Sequence, residues 1–204
     1  MVKQSIGRIM LLGALATLVS ACSIIPKSPK LTVYQLPQRA QAVQSSTTLN
    51  KVLRVAIPYS RNYLDTSRIV AVTPEHHMAV MDGIRWEDLG PIVFRDSLIR
   101  ALRSAGIYRA VINDDTPSGD YALRSDLQDF QVDHSVQPAT VVISLDVNLT
   151  NLKNPNEPTN TRSFTARAAL AAASDEAVIE AFADANQQIQ TQIIEWLSSQ
   201  PSAR

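Results

Sequence analysis

The chain has 204 residues with 19 basic and 19 acidic side chains, so its formal net charge at pH 7 is zero. This balance gives no indication of the basic patch that a nucleic-acid-binding surface requires. With a single cysteine the chain cannot form an intrachain disulfide or a thiolate metal site. Its six glycines make a glycine-rich phosphate loop unfavoured, so we expect no bound ATP.

The N-terminal segment has the three parts of a secretory signal peptide. Lys3 and Arg8 supply positive charge, an uncharged apolar run covers residues 9–19, and the small residues Ser20 and Ala21 follow. The apolar run is too short to cross a bilayer, which takes about 20 residues. The sequence therefore predicts export, with residues 1–21 as a cleaved lipoprotein-type signal peptide.

The only cysteine, Cys22, lies directly after this segment. Residues 19–22 (VSAC) resemble the bacterial lipobox, which implies cleavage between Ala21 and Cys22 and N-acyl and S-diacylglycerol lipid on Cys22. We expect no other cofactor. The alternative is a soluble exported protein with a chance cysteine, which an oxidising compartment disfavours because a free thiol is a liability there. Ser23, where aspartate would imply inner-membrane retention, implies the periplasmic face of the outer membrane.

Residues 22–30 form the lipidated N-terminus and a tether, since residues 23–30 contain two prolines and two lysines. Eight extended residues reach at most about 28 Å, so we expect the domain to lie close to the membrane. Residues 31–204 are long enough for a single domain with a sizeable core.

The first half of this domain reads as short strands followed by a helix. Strands are predicted at residues 31–36, 53–57 and 68–72, with residues 77–81 pairing with the third as a hairpin. Pro91 and Gly106 bracket a helix, whose apolar face consists of Phe94, Leu98, Leu102 and Ala105. A further strand is predicted at residues 108–112.

The second half alternates between apolar and polar residues over three segments. Residues 140–151 alternate with period two, residues 163–170 do so again after a turn, and residues 121–132 precede them. The phase of the first segment shifts near Asp129, which predicts a β-bulge. Three consecutive antiparallel strands follow from this pattern.

The chain ends in its most regular helix. Ser174 is a good N-cap, and Asp175 and Glu176 place negative charge at the positive end of the helix dipole. Its apolar stripe is Val178, Phe182, Ala185, Ile189, Ile193 and Trp196. The predicted fold class is therefore α/β of the α+β kind: a two-layer sandwich with a largely antiparallel mixed sheet and two main helices packed on one face.

The common catalytic and metal-binding motifs do not occur. The sequence contains no GxSxG and no HExxH. His76 and His77 are adjacent on a predicted strand, so their side chains point to opposite faces and do not share a metal. We expect no catalytic residue, no metal site and no enzymatic activity.

Residues 53–89 contain two short motifs in a fixed order, Tyr63-Leu64-Asp65 and Arg85-Trp86. With the lipobox and residues 34–37 (YQLP), they resemble the ABC-type transport auxiliary lipoproteins, the family that includes the paraquat-inducible protein C type. Two departures are Thr66, where a basic residue is expected, and a slightly displaced Pro91. These departures put in doubt any partner contact that depends on that basic residue.

The resemblance implies a non-catalytic, periplasm-facing accessory lipoprotein that docks the conduit of an intermembrane lipid transport system at the outer membrane. The implied partners are an MCE-domain protein and an ABC permease and ATPase on other chains; docking to a ring-shaped partner would favour a homo-oligomer. Alternatives are a lipid-anchored structural or assembly factor for another envelope complex and an anchored enzyme. The five motif residues are either partner contacts or a structural corner, in which Trp86 fills the core and Arg85 pairs with Asp65.

Overall fold

The computed structural model describes residues 30–40, 44–45, 47–115, 118–154 and 156–200. The predicted signal peptide, Cys22 and the tether as far as residue 29 lie outside the described residues. Contacts divide the chain into residues 1–30 and a compact unit of residues 31–204. No helix among the described residues has the length and apolar character needed to cross a membrane.

Nine strands and two helices are found in the described part of the chain. In chain order they are β1 (Thr32–Tyr34), β2 (Leu49–Val55), β3 (Tyr59–Ser60), β4 (Arg68–Val72), β5 (Met78–Trp86), α1 (Gly90–Ala105), β6 (Tyr108–Asn113), β7 (Tyr121–Asp133), β8 (Thr140–Asn151), β9 (Asn160–Ala169) and α2 (Asp175–Ser199).

The long strand β7 is the centre of one mixed sheet. On one side it pairs antiparallel with β8, which pairs antiparallel with β9, as the alternating pattern predicted. The register between β7 and β8 shifts between Leu127 and Asp129, which confirms the predicted bulge. On its other side β7 pairs with three strands one after another along its length, and β2, β3 and β4 are all parallel to it.

Two short groups of strands extend the sheet beyond β7. The strand β2 continues to β6 in parallel. The strand β4 pairs antiparallel with β5, the predicted hairpin, and β1 lies parallel to β5 at the edge. The strand β1 is shorter than the predicted residues 31–36, because the chain leaves the sheet after Tyr34 and buries Leu36 in the core.

Helix α1 begins and ends, and helix α2 begins, as their local sequences predict. Pro91 occupies the first turn of α1, and Gly106 ends that helix in the left-handed conformation with φ 69°. At the start of α2 the backbone N–H of Ala177 donates to Ser174 Oγ over 3.2 Å. The two helices contact each other and cover one face of the sheet, and the apolar side chains between the two layers form one core.

Four aromatic rings occupy the centre of this core and connect both helices to the sheet. The ring of Trp86 at the end of β5 lies 5.0 Å from Phe182 of α2 and 5.7 Å from Phe130 of β7, centroid to centroid. Phe94 of α1 lies 6.2 Å from the same Phe130. Edge-to-face and tilted pairs of this kind stabilise a core beyond the burial of their area.

Candidate functional site

The loop at residues 61–67 brings the two sequence motifs together at one corner of the sheet. The N–H of Trp86 donates to Ser67 O over 2.7 Å, so the loop is bonded to the end of β5. The N–H of Gly90 donates to Thr66 O over 2.9 Å, which bonds the same loop to the start of α1. Residues about 20 positions apart in sequence therefore form one unit.

Two of the five motif residues are part of the core. Leu64 is 2% exposed and Trp86 is 1% exposed. Tyr63 is half-buried, and its hydroxyl donates to the carbonyl oxygen of Gln128 over 3.3 Å. The corner is thus held by an apolar residue from each motif and by one hydrogen bond to β7.

The other two motif residues, Asp65 and Arg85, are exposed. The structure does not pair them: the ion pairs found within the described residues do not include Asp65 with Arg85, which corrects that part of the structural alternative. Arg85 points to the face of the sheet opposite the helices, because the neighbouring Trp86 points into the core. Its register partner across the sheet is Arg68 of β4.

Gly90 explains why α1 can start so close to the loop. A Cβ atom at this position would lie 3.3 Å from Phe130 Cδ1 and 3.4 Å from the backbone oxygen of Leu64. The Gly90-Pro91 pair, displaced from the usual position of the family's proline, therefore lets the helix start against the loop. The departure in sequence leaves the corner intact.

A polar cluster that the sequence analysis missed lies between the helices. The Oγ of Ser97 in α1 accepts from Asn186 Nδ2 over 2.7 Å and from Gln190 Nε2 over 2.8 Å, both in α2. Gln38, in the segment that follows β1, also donates to Ser97 Oγ. The sequence could have indicated this cluster, because the amides Asn186 and Gln190 directly follow Ala185 and Ile189 of the apolar stripe of α2.

The segment of residues 35–40 lies across the helices and is held by further polar contacts. Arg39 forms ion pairs with Glu180 and Asp184 of α2, and Gln187 Nε2 donates to Ala40 O over 2.9 Å. Beside this segment, Gln35, Gln38, Glu87 and Arg100 line an open groove of about 520 Å³ together with Leu36 and Pro37. The groove offers amide and charged groups but no histidine or cysteine for nucleophilic or metal chemistry.

Tyr108 is a buried titrating group that lies away from this groove. Burial, with a smaller contribution from Tyr121, raises the pKa of Tyr108 at the start of β6, outside the groove. His76, with φ 62°, and His77 lie in the β4–β5 turn and not on a strand as predicted, and both are exposed. Within the described residues no three His, Cys, Asp or Glu side chains are close enough to hold a metal ion.

The fold and the corner define an α+β domain with two helices on one face of a mixed sheet. The chain belongs to the family described as the ABC-type transport auxiliary lipoprotein component, whose model matches residues 34–194. The match includes the corner, the whole of α1 and α2 as far as Ile194. The family places the protein in the cell envelope as a lipid-anchored accessory component of ABC-type transport.

Solved structures share this fold at low sequence identity. Protein XCC0632 from Xanthomonas campestris is 24% identical with a TM-score of 0.73, covering 81% of this chain and 94% of that chain. An uncharacterized protein is 17% identical with a TM-score of 0.64, covering 83% of this chain and 99% of that chain. A comparison with curated proteins found no match.

Proposed function

We propose that this protein is a periplasm-facing lipoprotein of the outer membrane, anchored through lipid on Cys22. It acts as a non-catalytic accessory subunit that docks the conduit of an ABC/MCE-type intermembrane lipid transport system. The observation that carries the proposal is the family match over residues 34–194, which extends over nearly all of the folded unit. Permease, ATPase and MCE domain belong to other chains.

Some residues of the corner motifs hold the loop in place, and others are exposed and can contact a partner. Leu64 and Trp86 are buried and hold the loop against β5 and α1. Asp65 is exposed beside them, and we assign it to the partner contact together with the exposed part of Tyr63. An anchored domain is held at a high effective concentration near its partner, so even a weak contact of this kind suffices for docking. A ring-shaped partner would favour a symmetric homo-oligomer of the domain.

The test is a mild-detergent pull-down of the acylated protein from its native envelope, with bound proteins and lipids identified by mass spectrometry. We expect an MCE-domain protein to be recovered. The variant Asp65→Lys should lose it, whereas Glu195→Lys, the same charge change at an exposed position of α2, should retain it. Recovery of a different envelope complex, with no MCE-domain protein even after crosslinking, would assign the chain to structural or assembly work instead.

A further inference from the structure

Four large apolar side chains lie exposed at the edge of the sheet that contains β1 and β5. Leu31 and Val33 are 53% and 48% exposed, and Met78 and Val80 are 46% and 39% exposed. Met78 and Val80 pair with Val72 and Val70 of β4. The residue between those two on β4, Ala71, is the partner of the buried Val132, so Met78 and Val80 lie on the face away from the helices. Val33 is the register partner of Arg85 on that same face. We call these four apolar residues the edge patch.

Two arginines lie beside the edge patch. Arg68 and Arg85 are exposed and directly opposite each other on β4 and β5. Like charges in this position repel. Within the described residues no hydrogen bond or ion pair engages either guanidinium, although Asp65 lies in the loop before β4 and Asp82 lies on β5 itself. An anion with several oxygen atoms would offset the repulsion by binding both arginines, since guanidinium groups bind phosphate in a bidentate manner.

The position of this edge in the chain indicates where such an anion comes from. The edge patch begins at Leu31, and residues 23–30 alone separate Leu31 from Cys22. Eight residues span at most about 28 Å, so lipid on Cys22 keeps β1 next to the bilayer surface. Exposed apolar side chains flanked by cationic groups are the features that bind a membrane interface.

We propose that the edge patch, with Arg68 and Arg85, rests on the phospholipid surface that holds the anchor. The apolar side chains enter the interface, and the two guanidinium groups bind the phosphates of anionic headgroups. This contact orients the domain with its β1–β5 edge towards the bilayer and leaves the helix layer facing the periplasm. The inference rests on the anchor at Cys22 proposed above, but the surface itself is testable without acylation.

The experiment uses the mature chain, residues 22–204, with Cys22→Ser. Residues 31–204 form a compact unit with its own core, so this chain folds without lipid. Its flotation is measured with vesicles of phosphatidylethanolamine and phosphatidylglycerol, and with vesicles of phosphatidylcholine alone. We expect binding to the anionic vesicles that weakens as salt is added, and little binding to the zwitterionic ones. Equal binding to both compositions would overturn the role of the arginines.

The variant Arg68→Glu distinguishes an effect on membrane binding from an effect on folding. It places a carboxylate opposite Arg85, so the sheet retains a favourable cross-strand pair. Binding to anionic vesicles should nevertheless fall about fivefold or more, because each cation near an anionic surface contributes about 1 kcal/mol. Arg100→Glu, the same charge change at an exposed position of α1, should bind as the parent chain does.

Two results would overturn the proposal. One is equal vesicle binding by Arg68→Glu and the parent chain, and the other is an equal loss in Arg68→Glu and Arg100→Glu, which would reduce the effect to net charge. If Arg68→Glu in the acylated protein leaves vesicle binding intact but loses the MCE-domain protein, the edge patch is a protein interface instead. Because the flotation assay needs no acyl chain, its failure leaves the anchoring proposal standing.

Discussion

The hydroxyl group of Tyr108 is buried and has no hydrogen-bond partner among the described residues. Its ring centroid lies 6.2 Å from that of Tyr121. Tyr108 begins β6 and Tyr121 begins β7, the two strands that flank β2. A buried polar group without a partner costs about 1–3 kcal/mol of stability. The same burial raises the pKa of Tyr108, because the phenolate would have to form without solvation.

This residue predicts a specific loss of stability at alkaline pH. Because the pKa is higher in the folded state, the unfolded chain releases the proton first, so the free energy of unfolding falls as pH rises above about 10. At about pH 8 the free energy of unfolding of Tyr108→Phe should be between that of the parent chain and about 1 kcal/mol above it. Between about pH 8 and about pH 11 the variant should lose less of this free energy than the parent chain does. Urea unfolding at both pH values measures this.

The matched control is Tyr59→Phe, since Tyr59 is 72% exposed and its hydroxyl is solvated. That variant should follow the parent chain at the lower pH. If the free energy of unfolding of Tyr108→Phe has the same pH dependence as that of the parent chain, the buried hydroxyl is not the cause of the loss of stability at alkaline pH.

At the scale of elements, Trp86 connects β5 to β7 and α2 through its ring contacts. We expect Trp86→Ala to lower the free energy of unfolding by about 3–5 kcal/mol, because it leaves a large cavity among aromatic rings. Arg85→Ala, one residue earlier and exposed, should change it by no more than about 0.5 kcal/mol. Denaturant unfolding of both variants makes the comparison. A stable Trp86→Ala that lost only partner binding would contradict this structural role.

The packing of α1 on α2 contains a polar component that specifies how the helices meet. Ser97 accepts hydrogen bonds from side chains of α2 and from the segment after β1, so three parts of the chain converge on one hydroxyl. A buried polar group without a partner is costly, and a shift of either helix by one turn would break the hydrogen bonds of these amides to Ser97. The cluster therefore disfavours alternative helix registers.

For the whole molecule, the decisive expectation concerns the anchor. The proposed anchoring at the outer membrane predicts that Cys22→Ser moves the protein from the outer-membrane fraction to the periplasmic fraction, because no acyl chain remains to hold it. Fractionation of the native host, followed by immunodetection, measures the change. Ser23→Asp is the informative companion, since it should keep the protein in a membrane fraction but move it to the inner membrane. Retention of Cys22→Ser in the outer membrane would contradict anchoring at this residue.

Much of the fold was predictable from local pattern. The hairpin β4–β5, the antiparallel strands β7–β9, the bulge near Asp129 and the cap at Ser174 all follow from residue spacing within one or two elements. The motif at residues 63–65 was recognisable, but the exposure of Asp65 beside the buried Leu64 was not. Burial there depends on Trp86 at the end of β5 and on α1, which lie more than 20 residues further along the chain.

The sequence by itself determined most of the elements, their apolar faces and the family, and it predicts the signal peptide and the lipid site, because each depends on residues close together in the chain. Only the tertiary structure decided that β2, β3 and β4 share one side of β7 in parallel, since parallel pairing joins segments with no common turn. It also placed Arg68 opposite Arg85 beside the edge patch, and gathered Gln38, Ser97, Asn186 and Gln190 into one cluster. Such contacts depend on register between distant segments, which hydrophobic periodicity does not encode.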